Sequence, residues 1–324
     1  MSLNMSLDAE QHPARPSVAV LIPCYNEEVT IARVVRGFRA AVSDATIFVY
    51  DNNSADGTSR EARAAGAIVR TEPYQGKGNV VRRMFADVDA DVYVLVDGDL
   101  TYDPSAAGQL IARLIEQNLD MVVGTRVAVE GEAFPRGHRA GNRGFNLVVS
   151  TLFGAGFTDI LSGYRVVSRR FAKSFPVASS GFEIETELAI HALDLKLAVA
   201  EVPLRYGVRP EQSESKLRTY RDGTRILLTI LRMYRALHPL RFFGSMAIVL
   251  TLIALVLAEP LIVTYLETGL VPRFPTAILV MGLLQLAVIS GAVGLILHEL
   301  ASARREQKLL RYLEFPSPAA RHLR

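Results

Sequence analysis

The residues best suited to do chemistry are two carboxylates one position apart, Asp97 and Asp99. They follow the apolar run Tyr93-Val94-Leu95-Val96 and precede Leu100-Thr101-Tyr102-Asp103-Pro104. An uninterrupted apolar run bounded by Gly and Pro predicts a strand buried on both faces. Asp97 and Asp99 then emerge at its carboxyl end, where open α/β sheets bind their ligands. Alternate strand residues share a face, so both carboxylates can reach one hard cation. Gly98 leaves room for a ligand to come close. A polar strand-to-loop turn would use the same residue types, since Asp and Gly are common in turns. The surrounding chain favours the metal-site reading.

Three strand–helix pairs precede this stretch. Ser17–Pro23 predicts a strand, and Glu27–Ala41 a helix with Ile31, Val34, Val35 and Phe38 at helical spacing. Between them lies Pro23-Cys24-Tyr25-Asn26-Glu27, where Tyr25 could hold a nucleotide base with Glu27 near the helix start. Ordinary capping by Asn26 fits the same residues. Thr46–Tyr50 predicts the next strand, ending in Asp51-Asn52-Asn53-Ser54-Ala55-Asp56-Gly57-Thr58. Asp51 could accept hydrogen bonds from a base ring N–H, and Asp56 suits a cap on the helix Ser59–Ala65. Ala67–Arg70 is a third strand. Gln75-Gly76-Lys77-Gly78-Asn79 then opens a helix through Phe85, with Lys77 as a phosphate contact. It is not a Walker A loop, whose glycine spacing and Ser/Thr are missing. A helix over Pro104–Gln117 and a strand over Asp120–Gly124 follow, ending in Thr125-Arg126. This alternation predicts a mostly parallel sheet covered on both faces.

Charge divides the chain. Residues 1–215 hold 22 Lys and Arg against 27 Asp and Glu, whereas residues 216–324 hold 14 against 6. The basic part is also the apolar part, so the asymmetry argues for a membrane surface and against nucleic acid. The single cysteine, Cys24, excludes an internal disulfide and suits a reducing compartment. Set in an apolar strand, it reads as a small buried hydrophobe. Residues 1–16 are polar, lack the apolar centre of a signal peptide, and read as a loose tail.

The series Pro23-Cys-Tyr-Asn-Glu27, Asp51-Asn-Asn-Ser-Ala-Asp-Gly-Thr58, Gly76-Lys-Gly78, Asp97-Gly-Asp99 and Gly124-Thr-Arg126 resembles the family 2 inverting glycosyltransferases of the GT-A fold. Asn142-Arg-Gly-Phe-Asn146, Asp159-Ile-Leu-Ser-Gly-Tyr-Arg165, Gly181-Phe-Glu-Ile-Glu185, Glu201-Val-Pro203 and Ser215-Lys216 extend the likeness toward the polyprenyl-phosphate, or dolichol-phosphate, sugar transferases. The resemblance covers roughly residues 17–240. It implies an α/β, Rossmann-like GT-A domain that binds the donor nucleotide through Pro23, Tyr25, Glu27 and Asp51. It implies Mg²⁺ or Mn²⁺ on Asp97 and Asp99, bridging the diphosphate. Lys77 and Glu185 join the donor side, the latter touching the sugar. Arginines of the corresponding motifs bind phosphate in relatives, and here Arg126, Arg143 and Arg209 match best. Arg139, Arg165 and Lys216 complete the expected acceptor-phosphate set. Asp159 could orient an arginine or sugar hydroxyls, or act as a base if the acceptor were a hydroxyl. Relatives often carry Gln where this chain has Thr101. Glu183, Glu185 and Glu187 fall on a predicted helix, two of them expected on an exposed charged face.

The chemistry agrees with that resemblance. Breaking a sugar–diphosphate bond builds negative charge on the leaving group, which a divalent cation stabilises. A lipid monophosphate is already largely anionic near neutral pH, its second pKa lying near ~6. It needs less help from a base than a hydroxyl does. It needs positive charge to lie beside a second anion.

The remainder predicts a membrane part. Lys216–Arg241 holds seven Lys and Arg and one acid, with Ile226, Leu227, Ile230, Leu231, Met233, Tyr234 and Leu237 at helical spacing. Such a basic amphipathic helix suits a membrane interface; packing on a protein core is the other option. Phe242–Ala258 and Phe274–Leu297 carry no charge, and two spans over about 242–266 and 274–298 would cross a ~30 Å hydrocarbon core as a hairpin. Arg235, Arg241, Arg304, Arg305, Lys308 and Arg311 flank its outer ends, and the loop has only Arg273. The positive-inside rule then puts the catalytic domain and both termini in the cytoplasm, at the inner membrane. The expected order is a tail (1–16), a GT-A domain (17–215), an amphipathic helix (216–241), a transmembrane hairpin (242–300) and a basic tail (301–324).

The expected reaction moves a hexose from a UDP- or GDP-linked donor to undecaprenyl or dolichyl phosphate. Glu259 leaves pairing with a second copy open, and two spans suggest a separate flippase as partner. Transfer to a lipid hydroxyl and a non-catalytic scaffold or flippase subunit are the alternatives. A processive synthase with a Gln-x-x-Arg-Trp motif is excluded, since the chain contains no tryptophan.

Overall fold

The computed structural model describes residues 16–128, 136–154, 156–210 and 219–319. The chain divides into two units, one of Met1–Leu227 with Lys308–Arg324 and one of Leu228–Gln307.

In the first unit, β1 (Val18–Cys24), α1 (Ile31–Ala41), β2 (Thr46–Asp51), α2 (Thr58–Ala64), β3 (Ile68–Thr71), α3 (Lys77–Asp87) and β4 (Val92–Leu95) alternate as expected. A single 3₁₀ turn (Pro104–Ala106) leads into α4 (Ala107–Glu116), then β5 (Met121–Ala128) and α5 (Arg136–Phe153). β6 (Arg165–Ser168), α6 (Arg169–Ser174), α7 (Ile184–Asp194) and β7 (Val199–Tyr206) complete it, followed by α8 (Thr219–Leu237). The sheet has 7 strands in the order β3-β2-β1-β4-β6-β5-β7. β1 pairs in parallel with β2 and β4, β2 with β3, and β5 with β7. Only β6 runs the other way, between β4 and β5.

Period-two alternation explains why both faces are covered. On β1, Val20, Ile22 and Cys24 join Val34, Val35, Phe38, Leu110 and Leu114 on one face. Ala19 and Leu21 join Val80, Met84, Phe85, Phe171 and Leu188 on the other. Ile31, Val34, Val35 and Phe38 form the buried face of α1, as their spacing predicts. That helix begins at Ile31 and not at Glu27, because Asn26 adopts φ 53°. Its side chain does not cap α1; Oδ1 accepts from the Ala55 N–H at 2.8 Å. Asp56 does sit at a helix start, accepting from the Thr58 N–H at 3.0 Å.

In the second unit, α9 (Pro239–Thr268) and α10 (Phe274–Leu313) are long and apolar enough to cross a membrane. Ile248, Leu252, Leu255 and Val256 on α9 and Met281, Val288 and Ile289 on α10 are exposed, a surface suited to lipid. The buried residues of α10 are Val280, Ala287, Ser290 and Gly294. Small residues let two helices approach closely. Ser290 Oγ donates to the Phe243 carbonyl at 2.9 Å, and a Cβ at Gly294 would stand 3.0 Å from that of Phe243.

Residues 301–313, expected as part of a basic tail, are helical. α10 continues to Leu313, and its last turns belong to the first unit. Lys308 Nζ lies 3.0 Å from Asp194 Oδ2, Tyr312 donates to Asp120 Oδ2 at 2.9 Å, and Arg170 lies 4.7 Å from the Tyr312 ring centre. Read from sequence as a basic tail, the stretch also carries Tyr312 and Phe315, whose rings lie against Arg170 and Arg169.

Phe38 is fully buried and meets the Tyr164 ring edge-on at 6.0 Å. Phe38→Ala should destabilise the first unit by about 3–5 kcal/mol, read from chemical denaturation in detergent. A loss below about 1 kcal/mol would contradict this packing.

Candidate active site

The chain runs outward from β1 through β2 to β3, then returns to β4 on the other side of β1. A crevice opens at the carboxyl edge where strand order reverses in this way. Because β6 is antiparallel, its leading loop, Asp159–Tyr164, arrives at the same edge, and β5 and β7 deliver Arg126 and Tyr206 there. A cavity of about 1040 Å³ results. Pro23, Tyr25, Glu27, Lys77, Asp97 and Glu185 line it, as do Asp99, Arg126, Asp159 and Arg209.

Four carboxylates at this edge, Asp97, Glu185, Asp99 and Asp159, each have a cation. Lys77 Nζ lies 2.5 Å from Asp97 Oδ1 and also ion-pairs with Glu185. Lys77 opens α3 directly after Gly76, whose φ of +127° and whose approach to the Ser180 carbonyl exclude a side chain. Gly163 passes so close to Asp97 that a Cβ would fall 2.3 Å from its Oδ2. Asp99 is 2% exposed. Its Oδ1 accepts from the Thr101 N–H at 3.1 Å and hydroxyl at 2.6 Å, and its other oxygen accepts from Arg209. Thr101 thus holds Asp99 from behind. Burial and then the charge of Asp97 raise the Asp99 carboxyl, against the pull of Arg209. Burial also raises Glu185, which Lys77 opposes. Burial disfavours the Lys77 charge, but Asp97 and Glu185 together raise its pKa.

Asp97 and Asp99 suit a divalent cation of a particular kind. Among the described residues no group of three or more His, Cys, Asp or Glu assembles for a metal. Two carboxylates at a cavity wall match Mg²⁺ or Mn²⁺ completed by substrate phosphate oxygens and water.

Opposite them, Arg126 grips Asp159 through two parallel hydrogen bonds, Nε to Oδ2 at 2.8 Å and Nη2 to Oδ1 at 2.7 Å. The Arg126 backbone N–H and Asn142 Nδ2 add bonds of 3.1 Å each. The guanidinium also lies 5.7 Å from the Tyr206 ring centre. Burial would raise the Asp159 carboxyl, yet these donors hold it below the usual range.

Several expected site residues stand elsewhere. Asp51 does not line the cavity; its oxygens accept from the Ser54 N–H at 2.9 Å and the Ser59 hydroxyl at 2.5 Å. Arg165 is not an acceptor contact. It is 1% exposed, and its guanidinium donates to the Ser162 and Ile160 carbonyls at 3.1 and 2.6 Å, pinning the loop that carries Asp159. Arg143 is exposed on α5 and outside the cavity lining. The Arg139 side chain and all of Lys216 lie outside the described residues. Of the three glutamates, Glu183 precedes α7 as its N-cap residue, while Glu185 and Glu187 on the helix are buried, so the expected exposed face is absent; Glu187 accepts from the Ala178 and Ser179 N–H groups at 2.9 Å each. Tyr206, Asn142, Asn52 and Arg225 line the cavity without having been singled out. Tyr206 was findable, since it ends a strand at the ligand edge.

A carboxyl whose folded pKa is depressed stabilises the fold above its unfolded value near ~3.9, and this is lost as pH falls through the folded value. Asp159→Asn should therefore cost about 3 kcal/mol at pH 7, with the gap to wild type closing below about pH 4. Melting across pH tests this, and a gap unchanged at low pH would contradict it.

The family profile described as glycosyl transferase family 2 matches residues 19–175. Glycosyltransferase AglJ of Haloferax volcanii is 37% identical over 248 residues, covering 76% of this chain and 81% of that protein. A dolichyl-phosphate hexose transferase of the same organism is 30% identical over 217 residues, covering 67% of this chain and 93% of that protein. Among solved structures, glucosyl-3-phosphoglycerate synthase of Mycobacterium tuberculosis, in complex with Mn²⁺, UDP-glucose and phosphoglyceric acid, aligns with a TM-score of 0.56 and 25% identity over 68% of this chain and 80% of that one. With its motifs at the carboxyl edge of a GT-A sheet, this chain belongs to glycosyl transferase family 2.

Proposed function

We propose that this protein is a membrane-bound inverting glycosyltransferase. It moves a hexose from a nucleoside-diphosphate sugar to a polyprenyl phosphate. The observation that carries this reading is one cavity with a carboxylate pair, Asp97 and Asp99, and the arginines Arg126 and Arg209. Two membrane-length helices in the same chain favour a lipid acceptor. The names of the Haloferax relative and of the Mn²⁺ complex support acceptor class and metal.

Asp97 and Asp99 would hold Mg²⁺ or Mn²⁺, which neutralises charge developing on the leaving diphosphate. Tyr25 and Glu27 border the nucleotide end, and Lys77 and Glu185 the sugar–phosphate end. Arg126 holds the acceptor phosphate beside the donor, Arg209 on Asp99 reaches both the donor diphosphate and the acceptor, and Arg139 and Lys216 are further phosphate contacts. Asp159 acts by orienting Arg126. Its four hydrogen bonds and depressed pKa make it a poor base, which favours a phosphate over a hydroxyl acceptor. Basic residues outside the two spans put the catalytic unit and both termini on the cytoplasmic side. Product translocation falls to a separate flippase, and a homo-oligomer is compatible with this arrangement.

Membranes containing the protein should transfer radiolabelled sugar to polyprenyl phosphate from one of UDP-glucose, UDP-N-acetylglucosamine or GDP-mannose. Chelation of divalent cations or Asp99→Ala should lower the rate by about 100-fold or more. Full activity in Asp99→Ala would refute the metal assignment. Labelling of hydroxyl lipids alone would refute the phosphate acceptor.

A further inference from the structure

The metal carboxylates already carry cations of the chain's own. Lys77 lies between Asp97 and Glu185, and Arg209 sits on Asp99. Each pair joins a buried side chain to a half-buried one: Lys77, Glu185 and Asp99 are 14%, 8% and 3% exposed, Asp97 and Arg209 29% and 26%. A divalent cation reaching Asp99 Oδ2 must displace Arg209, and one reaching Asp97 comes in beside the Lys77 ammonium on its Oδ1. Arg209 then loses its carboxylate, and Lys77 is left beside a divalent cation with Glu185 as its remaining partner, at a cost unless a new anion receives them. A donor diphosphate is such an anion, since guanidinium and ammonium groups both bind phosphate oxygens strongly.

We infer that Lys77 and Arg209 are internal counter-ions that hold the divalent-cation site closed to metal alone and open it to metal together with a nucleoside diphosphate. This rests on the proposed role of Asp97 and Asp99 as metal ligands. Metal and nucleotide then bind with positive coupling, and by linkage each tightens the other by the same factor. The pairs also keep the carboxylates in place, so the site needs little rearrangement when the diphosphate arrives. Thr101, fixed on Asp99 Oδ1, leaves Oδ2 as the oxygen that exchanges Arg209 for metal.

The test uses the full-length protein in detergent and no acceptor, with free Mn²⁺ followed by electron paramagnetic resonance. Wild type should bind Mn²⁺ at least about tenfold more tightly with UDP or GDP than without, after correction for Mn²⁺–nucleotide association in buffer. Lys77→Met should tighten Mn²⁺ binding without nucleotide by about tenfold and shrink the coupling. Arg209→Gln, at a more exposed position, should shift both quantities in the same direction and stands in if the first variant fails to fold. Unchanged Mn²⁺ affinity in both variants, with binding lost in Asp97→Asn, would overturn this inference and leave the proposed function standing. Mn²⁺ binding unaffected by Asp97→Asn would overturn both.

Discussion

A carboxylate taken out of water must be given a cation or enough hydrogen bonds, and the ligand edge of this sheet is arranged around that requirement. Asp97 and Glu185 share Lys77, Asp99 takes Arg209, and Asp159 takes Arg126. Four carboxylates that line the cavity, Asp97, Asp99, Asp159 and Glu185, are thereby paired before any substrate enters. The same pairs tie β4 to α3, α7 and the chain after β7.

The antiparallel β6 brings the loop that carries Asp159 to the same sheet edge as Asp97 and Asp99. A wholly parallel continuation would have sent the segment before β6 to the opposite edge. Here that loop arrives beside Asp97, and an aromatic group beneath it keeps it there. Tyr102 meets Tyr164 and Tyr206 edge-on, with ring centres 5.4 and 5.1 Å apart. The Tyr102 hydroxyl accepts from the Gly163 N–H at 2.8 Å, and Ser162 Oγ donates to the Gly124 carbonyl at 2.5 Å. Arg165 holds the same loop from inside the sheet. Loop rigidity translates into the position of Asp159, and from there into the position of the Arg126 guanidinium.

The second unit obeys a different solvent. Its outward side chains are apolar and its helix contact is made by Ser290, Gly294 and Ala287, the pattern expected where burial of apolar surface offers no gain and close packing must hold helices together. Under the proposed reaction this suits an acceptor whose tail stays in the bilayer while its phosphate reaches the surface.

Alternating apolar strands, helical spacing in α1 and two uncharged stretches are local properties, and they determined the layered α/β unit, its ligand edge and the membrane-length helices from sequence alone. The spacing of Asp97 and Asp99 after an apolar strand likewise located the centre of the cavity. Partner choice is not local, and only the tertiary structure decided it. Arg209 reaches Asp99 across 110 positions, and Tyr312 reaches Asp120 across 192. Arginines of one type therefore split by burial: Arg126 faces the cavity, Arg165 braces a loop, and Arg143 faces outward. Asp51 was legible as a strand-end carboxylate, yet the N–H and hydroxyl that occupy it come from the turn that follows and from α2. A side chain's type says what it can bind; which partner it has depends on where folding places the rest of the chain.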